Sequence, residues 1–242
     1  MISSASAPKQ ILHIVSQRPS KTLWVVVIII SGQLYPDSPN QGTLLKFVRT
    51  LRKRDGEIKE GYQLLWKDLP HLADCLFENW HDPLSTPSRH LREKKIAEWQ
   101  NMNSFFARLA SEDFFPWIQL PFQELRNAFE FPPSSGRRME SRIWVANEWI
   151  MRCGNMLFRR MLGGTADERL ASSLATGPLC RHIRPLCEDR WRFWQTRIAL
   201  ISHKWEDLEL SRADCLRMGA LWRKMLDIDD AERHIRWREQ GY

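Results

Sequence analysis

The 242-residue sequence lacks the short motifs that identify most nucleotide-binding and hydrolytic proteins. It has no GxGxxG, no GxxxxGK[ST] and no GxSxG, which argues against dinucleotide, P-loop and serine-nucleophile sites. Clustered soft metal ligands occur only at Cys180, His182 and Cys187. Their C-x-H-x4-C spacing has no fourth ligand nearby and matches no common zinc site. The sequence therefore predicts no metal and no cofactor.

Paired cysteines and long apolar runs are also missing. The five cysteines are odd in number and form no CxxC, which favours a reduced, cytoplasmic protein. The apolar run at residues 23–30 (LWVVVIII) has eight residues, whereas a membrane span needs about 20. Its β-branched residues favour a strand. A buried helix ended by Gly32 fits equally well, because periodicity cannot separate the two in so short a run.

Tryptophan, in contrast, is abundant, with twelve residues. Many lie at the i, i+3, i+7 spacing of a buried helix stripe. Three stripes follow this pattern: Trp191, Trp194, Ile198, Ile201 and Trp205; Trp99, Met102, Phe106 and Leu109; and Cys215, Met218, Trp222 and Met225. The aromatic side chains are predicted to anchor a helical core. They could instead line an apolar pocket between helices, and the candidates for either role are Trp144, Trp149, Trp191, Trp194 and Trp222.

The pattern predicts an all-α, single-domain irregular bundle of roughly eight to ten helices with a tryptophan-rich core. We expect a mobile tail at 1–21, a helical domain at 22–228 with a weak division near 132–136, and a charged tail at 229–242. The predicted helices include 43–54, 58–68, a long helix that ends at Gly163-Gly164, 187–204 and a last helix that ends near Asp227. Thr165 and Glu168 are predicted to form the capping box of a further short helix.

Net charge is +7, and 26 of the 36 basic residues are arginine. The charge is spread over the chain, which argues against a dedicated nucleic-acid surface. One basic helix nevertheless carries Lys46, Arg49, Arg52 and Lys53, a pattern that could bind phosphates. Its apolar side favours ordinary packing.

Acid-base chemistry in an aromatic cavity has weak candidates. His182, Glu188, Asp189 and Arg190 follow the Gly177-Pro178 break, although acidic residues at a helix start are more often a surface feature. Carboxylate pairs such as Asp74 and Glu78 do not form the motif that metal-dependent prenyl chemistry needs.

Several segments resemble a fungal family of helical proteins of unknown function. The resemblance is carried by Gly177-Pro178-Leu179, by residues 190–197 (RWRFWQTR) and by a helix with Ala220, Leu221 and Met225. It covers roughly residues 60–228 and departs from the family at Cys180, where an aromatic residue is expected. It implies a fungal, all-α, cytosolic protein and brings no catalytic residue or cofactor.

Three functions follow as hypotheses. The first is a non-catalytic module that binds a protein partner or an apolar small molecule, because helix stripes are present and convergent catalytic residues are not. The second is an accessory protein or enzyme of fungal polyketide or terpenoid biosynthesis. The third, less favoured, is a nucleic-acid binder through residues 46–54.

Overall fold

The computed structural model describes residues 21–53, 69–85, 92–112, 118–164 and 173–239. Within these ranges it has eight α-helices and no strand, so the all-α prediction is confirmed. The helices are α1 (Lys21–Gln33), α2 (Pro39–Arg52), α3 (Leu72–Asn79), α4 (Arg92–Ala110), α5 (Gln119–Phe129), α6 (Gly136–Gly163), α7 (Glu188–His203) and α8 (Arg212–Glu239).

Three of the predictions from sequence fall outside the described residues. They are the mobile tail at 1–21, of which only Lys21, the first residue of α1, is described, the helix at 58–68 and the capping box of Thr165 and Glu168. Among the helices that are described, none combines the length and the apolar character needed to cross a bilayer.

The chain divides into two compact units, residues 1–105 and residues 106–242. We call them the N-terminal and the C-terminal unit. In the N-terminal unit the apolar run at 23–30 is helical, so the strand interpretation is wrong. Trp24, Val27, Ile28 and Ser31 are all buried, and this i, i+3, i+4, i+7 spacing is the burial pattern of a helix. Packing on this face therefore overrides the strand preference of the β-branched residues.

Helix α2 shows how local sequence sets a boundary. Ser38 precedes it in an extended conformation, and its hydroxyl accepts a hydrogen bond from the Gln41 backbone N–H at 3.2 Å. Pro39 occupies the first turn, where its missing N–H costs nothing. Leu45, Val48 and Leu51 are buried, so the helix packs by one apolar face and leaves the other to solvent.

The C-terminal unit is built around α6, which contacts α5, α7 and α8. Gly164 ends this 28-residue helix in the left-handed conformation, which glycine adopts without steric cost. The helix stop predicted at Gly163-Gly164 is therefore confirmed. The unit's apolar core draws on α5, α6, α7 and α8, with Trp191, Trp194, Ile198, Met218, Leu221 and Met225 among its fully buried members.

Helix α8 departs from the predicted pattern in length. It continues to Glu239 rather than ending near Asp227, so most of the expected charged tail is helical. Ile228 and Glu232 are buried, and Arg159 of α6 donates to Glu232 at 2.7 Å. Asp229 and Arg233 also pair one turn apart. Polar composition hid this extension because its contacts are ion pairs rather than an apolar stripe.

The position of Trp222 on α8 also differs from the prediction. Its spacing from Met218 placed it on a buried stripe, but 39% of its surface is exposed. The buried positions are Met218, Leu221, Met225 and Ile228. Trp222 lies one residue beyond Leu221, a rotation of about 100° around the helix, which carries it off the packed face.

Candidate functional site

A groove with a volume of about 850 Å³ opens in the N-terminal unit, within the ranges the structure describes. Ile28, Trp99 and Met102 line it and are themselves almost completely buried, whereas Ile29 is 58% exposed. Trp80 adds a half-buried indole. The groove therefore presents side chains from α1, α4 and the end of α3, and they are aliphatic, aromatic and thioether groups.

Two hydrogen bonds join α1 to α4 and to the residues just before α3. Asn101 of α4 donates its side-chain N–H to the carbonyl oxygen of Gly32 in α1 at 2.9 Å. Trp24 of α1 donates its indole N–H to the carbonyl oxygen of Pro70, just before α3, at 2.6 Å. Because both carbonyls lie outside regular helix bonding, the side-chain donors satisfy groups that burial would otherwise penalise. The groove is thus a fixed feature of the packing.

Polar side chains form the rest of the lining. Lys95 lies 2.9 Å from a carboxylate oxygen of Glu98, and the Gln33 amide donates to the other oxygen at 3.0 Å. These hydrogen bonds, with that of Lys95 the strongest, lower the pKa of Glu98 below its ordinary value against the opposing effect of burial. The Glu98 carboxylate consequently stays ionised at neutral pH. Asn79, His81, Asp82 and Ser85 complete the polar lining.

The outer face of α1 continues the apolar surface beside the groove. Val26 and Ile30 are 46% and 40% exposed. An amphipathic helix would place charged residues on such a face, yet residues 23–30 contain none. Exposed contiguous apolar surface of this kind marks interaction sites in many proteins.

A buried ion pair dominates the C-terminal unit. Glu130 accepts hydrogen bonds on one carboxylate oxygen from Arg190 Nε at 2.6 Å and from Trp194 Nε1 at 2.7 Å. Its other oxygen accepts from the Gly177 backbone N–H. All side chains in this set are inaccessible to solvent. We call Glu130, Gly177, Arg190 and Trp194 the Glu130 cluster.

The cluster fixes the loop that precedes α7. Arg190 Nη1 also donates to the carbonyl oxygens of Leu174 and Pro185, both at 2.8 Å, and its guanidinium carbon lies 5.3 Å from the ring centroids of Phe122 and Trp194. The Arg190 side chain thus links two carbonyl groups of the loop before α7 to Glu130, at the end of α5, and to the ring of Trp194 in α7. Buried charges persist only when paired and hydrogen-bonded in this way.

Gly177 is required at its position by close approach. A Cβ there would lie 2.7 Å from both the Cβ and the backbone oxygen of Glu130, closer than such atoms pack. Leu179 then donates its N–H to that same Glu130 oxygen at 3.0 Å. The Gly177-Pro178-Leu179 and Arg190–Trp194 segments, which carried the family resemblance, are therefore parts of one buried structural contact.

The four catalytic candidates do not converge. His182 and Asp189 are exposed, and the half-buried Glu188 pairs with Arg192 of its own helix. Arg190 points inward to Glu130. These residues therefore give no shared surface on which a substrate could meet an acid and a base.

The candidate tryptophans divide by burial. Trp149, Trp191 and Trp194 are completely buried, Trp144 is half-buried and Trp222 is 39% exposed. None of them lines the groove, which uses Trp80 and Trp99 instead. Sequence reasoning missed the groove. Its signals, the run at 23–30 and the Trp99 stripe, were both interpreted as packing because the sequence does not reveal where two helices leave a gap.

The basic residues of α2 lie on its outer side. Lys46, Arg49 and Lys53 are exposed and Arg52 is half-buried. Among soft metal ligands, Cys180 and Cys187 are buried while His182 is exposed. No group of three His, Cys, Asp or Glu side chains within the described ranges is placed to hold a metal ion.

Comparison with known families gives one match. The model of a family described as protein of unknown function (DUF3632) matches residues 24–198. This range runs from α1 into α7 and contains the groove, the Glu130 cluster and the basic helix α2, but not α8. Searches of curated proteins and of solved structures return no significant match.

Proposed function

The chain belongs to the DUF3632 family of proteins of unknown function, and we propose that its N-terminal unit is a non-catalytic binding module for an apolar small molecule. The observation that carries this proposal is the groove between α1, α4 and the end of α3. Its volume of about 850 Å³ lies in the range of small-molecule sites. We call it the apolar groove.

The chemistry of the lining favours a ligand with an apolar body and one polar end. Ile28, Ile29, Trp99 and Met102 supply apolar contact surface. The polar group of a ligand could meet the ion pair of Lys95 and Glu98. Transfer of an apolar ligand into such a site gains about 25 cal/mol per Å² of apolar area, which is the main term that would drive binding.

Native mass spectrometry of the full chain purified from a filamentous fungal host is the first test. A bound mass of a few hundred daltons supports the proposal. A chain that leaves the host bare, and that also fails to bind the fluorescent apolar probe 8-anilinonaphthalene-1-sulfonate, contradicts it. A clean multiple of the chain mass, or a second protein at fixed stoichiometry, would point to a partner instead.

Two exposed isoleucines on one helix give a matched pair of variants. Ile29 lines the groove, whereas Ile30 is next to it in sequence and does not. Ile29→Glu is expected to weaken probe binding at least tenfold because it introduces a charge into the apolar groove. Ile30→Glu should leave binding within about twofold. Equal losses in both variants would assign the probe to the exposed α1 surface and not to the groove.

A catalytic or accessory role in polyketide or terpenoid biosynthesis remains a second hypothesis. The apolar groove would suit an accessory protein that carries a product or intermediate, and the identity of a bound mass would test that. His182, Glu188 and Asp189 do not support a catalytic version because they are dispersed toward solvent.

Nucleic-acid binding through α2 is the third hypothesis, and one observation favours it. Lys46, Arg49 and Lys53 all face outward. Binding of labelled duplex DNA or RNA should then be strongly salt-dependent and should fall when Arg49, Arg52 and Lys53 are changed to Glu. Absence of binding at low salt would remove this hypothesis.

A further inference from the structure

Lys95 and Glu98 form an ion pair in the lining of the apolar groove, and the packing of two helices sets its position. A Cβ on Gly32 of α1 would lie 3.4 Å from the backbone oxygen of Glu98 in α4, so the two helices touch at this point. Asn101, one turn further along α4, donates to the Gly32 carbonyl oxygen at 2.9 Å. The Glu98 side chain consequently enters the groove beside the contact between α1 and α4.

The charged pair and the apolar lining of α4 share one face of that helix. Lys95, Glu98, Trp99 and Met102 all line the groove, and they follow one another at the i, i+3, i+4, i+7 spacing that places side chains on one face. The ion pair therefore lies within one or two helical turns of the indole of Trp99 and the thioether of Met102. A single small molecule can reach both.

Both helices hold the Glu98 carboxylate in place. The Gln33 amide of α1 donates to Oε1 at 3.0 Å, and the Lys95 ammonium donates to Oε2 at 2.9 Å. Lys94 approaches Oε1 at 3.9 Å but does not line the groove. The Glu98 side chain is 21% exposed and that of Lys95 is 62% exposed. The carboxylate is thus the more enclosed of the two charges, and the ammonium remains near solvent.

The ion pair keeps hydrogen-bonding capacity for a ligand. An ionised carboxylate offers about four acceptor positions and an ammonium offers three N–H donors. Among the described residues, hydrogen bonds occupy two positions on Glu98 and one donor of Lys95. A hydroxyl group has one O–H donor and also accepts, so it can donate to Glu98 and accept from Lys95 together. Hydrogen bonds to charged groups are stronger than those between neutral groups.

Charged ligand groups match this lining less well than a hydroxyl does. Asp82 and Glu98 are both in the lining, so a ligand carboxylate would lie in a groove that already holds two. A ligand ammonium would lie beside Lys95, whose charge is already paired with Glu98. Either ion would also lose hydration on entering an apolar site. An uncharged hydroxyl avoids these costs.

We propose that the apolar groove selects an apolar alcohol whose hydroxyl lies between Glu98 and Lys95. The hydrocarbon part of this ligand contacts Ile28, Trp99 and Met102. The inference rests on the proposed function and adds the class of ligand that the groove prefers. It requires no covalent step.

Calorimetric titration of the full chain at neutral pH with two isomers, 1-octanol and 1-methoxyheptane, tests the proposal. The isomers contain the same atoms, and both oxygens can accept from Lys95, but only the alcohol can donate to Glu98. We expect 1-octanol to bind at least about fivefold more tightly, which corresponds to one hydrogen bond. A groove that offers apolar contact alone would bind the ether at least as well, because an ether oxygen loses less hydration on burial.

A matched pair of variants on α4 assigns the preference to Glu98. Glu98→Met removes the acceptor and keeps a similar length, so the affinities of the two isomers should come within about twofold of each other. Glu93 is exposed in the first turn of α4 and does not line the groove, so Glu93→Met should keep the preference. A preference that survives Glu98→Met, or that disappears in both variants, would overturn the proposal.

Two further controls make each failure distinct. Circular dichroism verifies the fold of each variant, and the comparison of isomers on the unmodified chain does not depend on either variant. Sodium octanoate and octylammonium chloride provide the charged probes. Tighter binding of an ion or of the ether than of 1-octanol would overturn the alcohol but retain the groove as a binding site. Failure of all four probes to bind would contradict the proposed function as well.

Discussion

The two units stabilise their helices by different means. In the N-terminal unit, neutral hydrogen bonds such as Asn101 to Gly32 and Trp24 to Pro70 join segments beside an apolar surface that stays open, and the ion pair between Lys21 and Glu78 is exposed. In the C-terminal unit a buried ion pair lies at the edge of a filled core. The comparison indicates where change is tolerated. Neutral hydrogen bonds beside an open groove leave a surface accessible to ligands, whereas a buried ion pair holds the segments around it in one arrangement.

This difference has an energetic basis. A neutral hydrogen bond contributes about 0.5–1.5 kcal/mol net, because folding exchanges it for bonds to water. Breaking a buried ion pair by removing one partner costs about 3–5 kcal/mol, since the remaining charge is left unpaired. Substitutions in the Glu130 cluster should therefore be far more damaging than substitutions of the hydrogen bonds under the apolar groove.

Trp194→Ala should have the largest effect. It removes a completely buried indole and a hydrogen bond to Glu130, so we expect a loss of about 3–5 kcal/mol in the free energy of unfolding. Trp222→Ala, at an exposed position, should cost less than about 1 kcal/mol. Urea denaturation measures both. Similar losses would mean that burial does not separate the two tryptophans.

Arg190→Leu should follow closely. Leucine fills part of the space but leaves Glu130 without its counter-charge, so we expect a loss of about 3–5 kcal/mol. The control Arg192→Leu breaks an exposed pair with Glu188 and should cost under about 1 kcal/mol. A Glu130→Leu/Arg190→Leu double variant that loses as much as the sum of its singles would contradict a coupled pair.

Gly177→Ala tests the close approach within the same cluster. The added Cβ would meet a backbone oxygen that cannot move independently, and overpacking of this kind costs about 1–3 kcal/mol. Gly219 in α8 has open space around it. Gly219→Ala should therefore stabilise the helix by about 0.5–1 kcal/mol. Thermal unfolding should move in opposite directions for the two variants, and equal shifts would refute the argument.

Asn101→Leu measures the corresponding contact of the N-terminal unit. It removes a donor to the Gly32 carbonyl while keeping a similar volume, and we expect a loss of about 1 kcal/mol in denaturant titrations. A loss above about 3 kcal/mol would mean that neutral bonds here matter as much as the buried ion pair, and the contrast between the units would disappear.

Alkylation of the cysteine thiols should perturb the protein least, because it tests the burial of these side chains without changing any residue. Burial raises the pKa of Cys153 and of Cys180 to about 12, and burial also raises the pKa of Cys75. At pH 8 these thiols are protonated and should resist iodoacetamide, whereas the half-buried Cys215 should react. Peptide mass spectrometry locates the label. Rapid alkylation of Cys180 would show that the loop before α7 opens.

Sequence reasoning predicted the helices of the core with good accuracy where apolar spacing was regular. Trp191, Trp194 and Ile198 are buried as their spacing predicts, because a helix in a filled core repeats its burial every three or four residues. It erred where that regularity was lost. The extension of α8 depends on ion pairs, and Trp222 lies about 100° around the helix from the buried Leu221, at the edge of the packed face.

The sequence by itself determined the all-α class, the helix stop at Gly163-Gly164 and the identity of most core anchors, since these follow from local propensity and periodicity. Tertiary structure alone decided that residues 23–30 form a helix, that Glu130 accepts hydrogen bonds from Arg190, Trp194 and Gly177, and that the apolar groove exists. Such features join residues tens of positions apart, for example 64 between Glu130 and Trp194. They depend on how helices pack, which no local pattern of residues encodes.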